Sequence, residues 1–555
     1  GMPKPTTPKP TRRAILAGMS GAAALTAFFP LPGCSSQNSP SGTESVPLPE
    51  RLTNRQEVVI AMDPSTVKAP FDPVKGFGET GVLLFNSPLL TADEKNQIVN
   101  DVATGYEVSP DGLVWTFKIR TDIKFTDGTA LTAEDVAFTY NQAKEAAKVS
   151  LPGFDTAVAT GTDTVELRLT APSSTLLYTA ATLGIVPKST YSDGFGDNPV
   201  GSGPWKFGHY TQGQQLILER NDNYHGTKAK FAKATLLLME SDAALAAAQS
   251  GQVDLACVYP ALSSQQVPGF SLTSLPTFGY RVISLPCETP GAYEVEGQSV
   301  GNAVTSDPVI RKAMATALNR EQIVKDCLLG YGEVAFDIFD AFPWGIKQET
   351  ASLKDGDVAG AEAMLDQAGW AKSEGGIREK NGTKASFTLM YPPNDSGRQA
   401  IAEAFKAQMT QIGIDVELHG TDFTSMQDRN RKDAVVLGGG RLNPYHEYNM
   451  LSGTLARKKG WSNIACYSNE QVQANLDAAL AATDQESANK FWHAALWDGT
   501  NGGSILGDNP YLVVGYIHHN YFVRNGLDIG TQRVHPHDHF LQVINNLNTW
   551  DVKAS

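Results

Sequence analysis

The chain is poor in cysteine, has no surplus of basic residues and lacks any long run of strongly apolar side chains. Five cysteines are spread over 555 residues and none stands in a C-x-x-C pair, which argues against a zinc site built on paired thiolates. Lys and Arg number 45 against 59 Asp and Glu, a formal net charge of -14. Nucleic acid binders need a basic patch to meet phosphates, so that class is excluded as a partner. An uncharged stretch near the N-terminus, residues 14–31, is rich in Ala and Gly and interrupted by Pro30. A stable membrane span wants about 20 strongly apolar residues, and this stretch falls short. No internal repeat is visible, which removes solenoids and propellers. What remains is an ordinary balance of 41% hydrophobic and 19% charged residues, the composition of a folded globular body. Its length exceeds what one hydrophobic core supports, so at least two domains are expected.

The first 34 residues read as an export signal. Gly1, ahead of Met2, reads as a residue added to the natural start. Lys4, Lys9, Arg12 and Arg13 precede the uncharged stretch, and the Arg pair resembles a twin-arginine signal. Leu31-Pro32-Gly33-Cys34 resembles a lipobox, which makes Cys34 the expected lipidation site. Residues 35–54, rich in Ser and Pro at their start, read as a flexible tether. Cys257, Cys287, Cys327 and Cys466 remain. In an exported chain they can pair in three ways, or stay as buried thiols that pack like small apolar residues; both readings stay open.

Through the body, strand and helix patterns interleave. Residues 57–62 read as a buried strand, and residues 114–125 and 164–169 alternate apolar and polar with the period of a half-buried one. Thr132 with Asp135 forms a helix-capping pair. Asp307-Pro308 opens a helix whose Ile310, Met314 and Leu318 share a face, and Asn319 caps the next. Further helices are expected over 242–250, 357–368 and 401–412, and strands over 216–219, 253–258, 386–391, 414–418 and 511–523. A hairpin is expected over 377–383. The class is therefore α/β, or mixed α+β.

Two motifs invite a catalytic or metal reading. Gly297-Gln298-Ser299-Val300-Gly301 matches G-x-S-x-G, but no buried strand precedes it and no helix follows at once, as a nucleophile elbow requires. His535, His537 and His539 fall within five residues, yet no fourth ligand is identifiable, so no metal is assigned to them. His518 and His519 point to opposite faces if their segment is a strand.

Several ordered blocks carry a family resemblance. Asp111-Gly-Leu-Val-Trp-Thr-Phe-Lys-Ile-Arg120 runs into Ile123-Lys-Phe-Thr-Asp-Gly-Thr-Ala-Leu-Thr-Ala-Glu-Asp-Val136; Asn198 to Trp205, Glu219 to Tyr224 and Gly251 to Asp254 follow in order. The chain resembles the family 5 bacterial extracellular solute-binding proteins over roughly residues 55–550. That resemblance implies a two-lobed periplasmic-binding-protein-like fold with a hinge and an extra inserted domain. The expected division is lobe I from residues 55–80, 193–281 and 508–555, an inserted domain from 81–192, and lobe II from 282–507. It also implies no enzyme and no cofactor. The expected protein is a monomeric, lipid-anchored lipoprotein at the outer face of the cytoplasmic membrane, which hands a solute to the permease subunits of an ABC transporter.

Peptide is the leading ligand class, nickel or another metal chelate the alternative, and a serine hydrolase using Ser299 a third reading. The resemblance places the ligand site at residues 435–447. Peptide binders carry an Asp there that holds the peptide amine; here His446 stands in its place, with Glu447 beside it. Nickel binders place a His further on, near Lys459 of this chain, so that site does not transfer directly. The expected ligand-binding set is Arg441, Tyr445, His446 and Glu447, facing Phe85 and Asn86, with Trp344 close by. Arg441 suits a carboxylate, Tyr445 an apolar wall, and His446 with Glu447 an amine, or a metal on neutral His446. Gly438, Gly439 and Gly440 are expected to let backbone approach the ligand.

Overall fold

The structure, a computed structural model, describes residues 46–536 and 539–554. The export signal, Cys34 and most of the tether lie outside the described residues, as does His537. Glu57–Met62 carries an unbroken apolar run because both its faces are covered: it lies between two parallel partners, Lys233–Leu238 and Leu255–Val258. These belong to an eleven-stranded mixed sheet. Its centre is a pair of long antiparallel strands, Phe270–Ser284 and Tyr511–Arg524.

The long pair joins two α/β layers. Its first half runs from Phe270 opposite Arg524 to Pro276 opposite His518, and there Tyr511–Arg524 also pairs with Leu255–Val258. The register then slips and resumes at Tyr280 opposite Tyr516. Beyond the slip, Phe270–Ser284 pairs with Ala434–Gly439, and Ser386–Tyr391 and Asp415–Gly420 extend the sheet in parallel. Pro276 cannot donate a ladder hydrogen bond, so the bulge falls beside it. The C-terminal return fills the gap: the Phe278 amide donates to the His535 carbonyl at 2.8 Å and the His535 amide to Pro276 at 3.1 Å.

A separate four-stranded antiparallel sheet, Ala103–Val108, Val114–Ile119, Thr164–Leu169 and Phe154–Ala159 in that order, packs on helix Ala133–Ala146. The capping box holds: the Thr132 amide donates to the Asp135 carboxylate at 2.8 Å. The strand expected over 114–125 stops at Ile119, because the next residues turn around Asp127-Gly128, where Lys124 and Ala130 form an isolated bridge. The helix expected over 401–412 begins earlier, at Ser396, capped by Asp395. All four described cysteines are free thiols.

One buried carboxylate ties the first layer together. Asp254 is fully buried, and its oxygens accept from Arg51, from Arg524 Nε at 2.9 Å and from the Val59 amide at 2.7 Å. Removing one member of a buried ion network strands the others. Asp254→Ala is therefore expected to lower the unfolding free energy by about 3–5 kcal/mol in urea titrations; a loss under about 1 kcal/mol would contradict this role.

Candidate functional site: a cavity beside the strand crossing

A cavity of about 250 Å³ opens beside the long strand pair. One wall is the segment after Ala434–Gly439, which contributes Arg441, Tyr445, His446 and Asn449. The facing wall contributes Glu79, Tyr178 and Arg533 among others. Tyr445–Leu451 is a short helix entered through Pro444, with the Asn443 side chain accepting the Tyr445 amide at 3.0 Å. On a helix, residues 445, 446 and 449 lie on one side and 447, 450 and 451 on the other. The first set lines the cavity, and Glu447, Met450 and Leu451 are buried behind it.

His446, Tyr445 and Arg441 are held from behind or across. His446 Nε2 and the Tyr280 hydroxyl are 2.7 Å apart with their rings stacked, so the crossing strand fixes the imidazole. Tyr445 stacks on Tyr448, and burial raises its phenol pKa. Arg441 Nη1 meets Glu79 Oε1 at 2.8 Å from the opposite wall, both side chains nearly half exposed. Arg533 is only 6% exposed and also faces the cavity.

Four expectations are corrected. Glu447 is fully buried beside Trp344 and Asp337, not in the cavity. Burial pushes its carboxyl pKa well up, and the field of Asp337 adds to this. The Trp344 indole tempers the shift, but no hydrogen bond of good geometry reaches either Glu447 oxygen. Burial thus favours the uncharged form of Glu447, which stands behind the wall and not toward a ligand amine. Trp344 stands behind the wall, packed on Phe342, Phe339 and Tyr178. Phe85 sits in an aromatic cluster with Phe71, Phe77 and Phe207, and the Asn86 amide donates to Ile185 and Val200 carbonyls. Both serve the interior, not the cavity. Gly438 and Gly440 make room for protein, not ligand: a Cβ on Gly438 would fall 2.3 Å from Arg281 Nη1, and one on Gly440 2.8 Å from the Phe278 carbonyl.

The Ser299 motif and the His518-His519 pair are structural, and the His535-His537-His539 cluster lies partly outside the described residues. Ser299 is exposed on a two-residue strand paired with Glu294–Val295, with no elbow around it. His518 and His519 do point apart, one to Ser274 and Glu333, the other to His535 and Phe540. Among the described residues no group of three His, Cys, Asp or Glu side chains could hold a metal ion. Arg533 was not singled out from the sequence, because nothing local marks it; the C-terminal return carries it to the cavity.

Residues 97–461 match the profile of the bacterial extracellular solute-binding proteins, family 5. The chain belongs to this family. It is 30% identical to Protein XP55 of Streptomyces lividans over 444 residues, covering 77% of this chain and 78% of that one. It is 27% identical to the oligopeptide-binding protein AppA of Bacillus subtilis over 452 residues, 77% and 80% of the two chains. The structure of NikZ from Campylobacter jejuni in complex with Ni(L-His) superposes with a TM-score of 0.70 at 20% identity, covering 91% of this chain and 100% of that one. The fold is the two-lobed binding-protein fold. The chain is a solute-binding protein of an ABC importer, not an enzyme.

The neutral Glu447 has a pH consequence. Its folded pKa lies above the unfolded value near 4.5. Below that value both states are protonated and the stabilisation is complete; as pH rises toward the folded pKa only the unfolded state releases the proton, so stability falls. Glu447→Gln keeps the shape without titrating. Its melting temperature relative to the parent is expected to rise as pH is raised above the unfolded value near 4.5. A difference independent of pH would show that Glu447 is ionised in the fold.

Proposed function

We propose that the cavity beside the strand crossing captures the imported solute, with peptide as the leading ligand class. The observation that carries this reading is the convergence of Arg441, Tyr445 and His446 from one wall on Glu79 and Arg533 of the other. Pockets of this kind favour the meeting of rigid elements, and closure around a solute desolvates its polar contacts. The relative AppA is named for binding oligopeptides. A metal chelate is the second reading: His446 lines the cavity with a nitrogen held against Tyr280, and the structurally similar NikZ holds Ni(L-His).

The body divides, in this reading, into lobe I of residues 55–80, 193–281 and 508–555, an inserted domain of 81–192, and lobe II of 282–507. Twin-arginine export and acylation of Cys34 place a monomer at the outer face of the membrane, beside its permease.

Thermal-shift screening of the purified chain against dipeptides, tripeptides and nickel–histidine tests the ligand class, since a ligand bound only by the folded state raises the melting temperature. A peptide is expected to give the shift, and His446→Ala or Arg441→Ala to weaken it at least about tenfold by calorimetry. Unchanged affinity in both folded variants would move the site elsewhere. For anchoring, Cys34→Ser is expected to release the protein from membranes into the soluble fraction; continued membrane binding would overturn the lipoprotein reading.

A further inference from the structure

We propose that Arg533 is an anion anchor, and that the solute taken by this cavity is a compact organic acid whose carboxylate Arg533 binds. The proposal rests on the capture-site reading above and narrows it to a substrate class. Its basis is a charge without an answer. Arg533 is 6% exposed and lines the cavity, yet no carboxylate stands within ion-pair distance of it among the described residues. Its Nε has no acceptor, and Nη1 reaches only the Ala92 carbonyl, at 3.5 Å. Asp93 attracts it from a distance, but one Asp93 oxygen already accepts the Lys95 and Gln97 amides.

The other deeply buried arginines are answered. Arg320 pairs with Asp355, Arg378 with Asp366 and Arg524 with Asp254; Arg431 gathers four backbone carbonyls and Arg311 three. Arg533 is the exception, and it lines the cavity described above. Burial lowers its pKa to about 10, which still leaves it charged at neutral pH. A buried charge left unpaired is costly, and a planar guanidinium is suited to meet a carboxylate with two parallel bonds. Gly81 leaves the guanidinium room: a Cβ there would come within 3.0 Å of Nη2.

The rest of the cavity agrees. Its lining carboxylate, Glu79, is already engaged by Arg441, and Glu447 lies behind the wall as a neutral acid. Among the described residues the lining therefore carries a surplus positive charge and offers no unengaged carboxylate to a ligand amine. A cavity of about 250 Å³ is at the small end of ligand sites, below the ~300–1,000 Å³ typical of drug-sized ligands. A dipeptide, an acidic amino acid or a chelating acid fits that description; an extended oligopeptide does not.

Calorimetry and thermal shift with four named probes test this: the dipeptide Ala-Glu, its fully amidated form Ala-Gln-amide, citrate, and nickel citrate. At least one acid is expected to raise the melting temperature. Ala-Glu against its amide isolates the carboxylate in a peptide, and citrate against nickel citrate shows whether the carboxylate is recognised free or on a metal. Amidation is expected to weaken Ala-Glu at least roughly tenfold if Ala-Glu is the acid bound, the worth of one charge-assisted contact. Arg533→Met is expected to abolish acid binding and Arg533→Lys to restore part of it. Unliganded Arg533→Met should melt at or above the parent temperature, since the substitution removes an unpaired buried charge and keeps the volume.

Equal binding of acid and amide, full affinity in Arg533→Met, no shift with any of the acids, or an unliganded Arg533→Met that melts well below the parent would each overturn the proposal. Mass spectrometry of molecules released from the natively purified protein separates the two levels. A neutral or cationic solute sinks the anion anchor and leaves solute capture standing.

Discussion

The antiparallel pair Phe270–Ser284 and Tyr511–Arg524 is the constraint on which the rest depends. It is the central ladder shared by both halves of the large sheet, and its register slip at Pro276 to Tyr280 leaves backbone groups that the ladder cannot satisfy. Buried backbone polar groups must find partners. They find them in the C-terminal return, through the exchange of hydrogen bonds between His535 and residues 276 and 278. That single accommodation has two consequences for the cavity. It fixes the strand on which Tyr280 holds His446, and it brings Arg533, two residues before His535, to the opposite wall. His535 is buried there against His519 and Gln532, and burial, with the neighbouring charges, keeps its imidazole neutral.

The charge distribution runs against the composition. A chain with a formal charge of -14 has a cavity whose unanswered group is a cation. The acidic excess is carried largely by exposed side chains, where water screens it. Inside, two carboxyls near the cavity, Glu447 and Asp337, are pushed toward the neutral form by burial. The apolar cluster that surrounds Trp344, Phe339 and Phe342 thereby removes negative charge from behind the wall as well as supplying packing. A neutral acid next to a cationic cavity is the arrangement that least competes with an anionic ligand.

Local patterns in the sequence were legible wherever the structure is local. The capping pair Thr132 and Asp135, the Asp307-Pro308 helix start and the buried run 57–62 appear where their periodicity and end signals place them. Ordered blocks of resemblance fixed the family. The candidate cavity was legible in part: Arg441, Tyr445 and His446 line it, but the phase of their backbone was not readable. Tyr445, His446 and Glu447 read as one polar cluster; on the helix that forms, successive side chains diverge by about 100° and the third turns inward. The triple glycine misled for a related reason. Close approach was the right inference from Gly438 and Gly440, but the partner is the adjacent strand. Phe85, Asn86 and Trp344 depended on which face of an irregular segment is buried, which no period encodes.

The two arginines of the cavity show why burial, more than residue type, separates a latch from an anchor. Arg441 and Glu79 meet across the opening while nearly half exposed. Exposed pairs contribute about 0–1 kcal/mol, because water competes and two flexible side chains must be held. Such a contact is easily exchanged, so Arg441 stays available to a solute. Arg533 is 6% exposed, and among the described residues only the Ala92 carbonyl reaches it. Its charge therefore discriminates strongly between an occupant with an anionic group and one without, since the low local dielectric that penalises the empty guanidinium strengthens the bond to a carboxylate. The weak pair is the more exposed and Arg533 the more buried, a residue held in position by the same return of chain that completes the strand crossing.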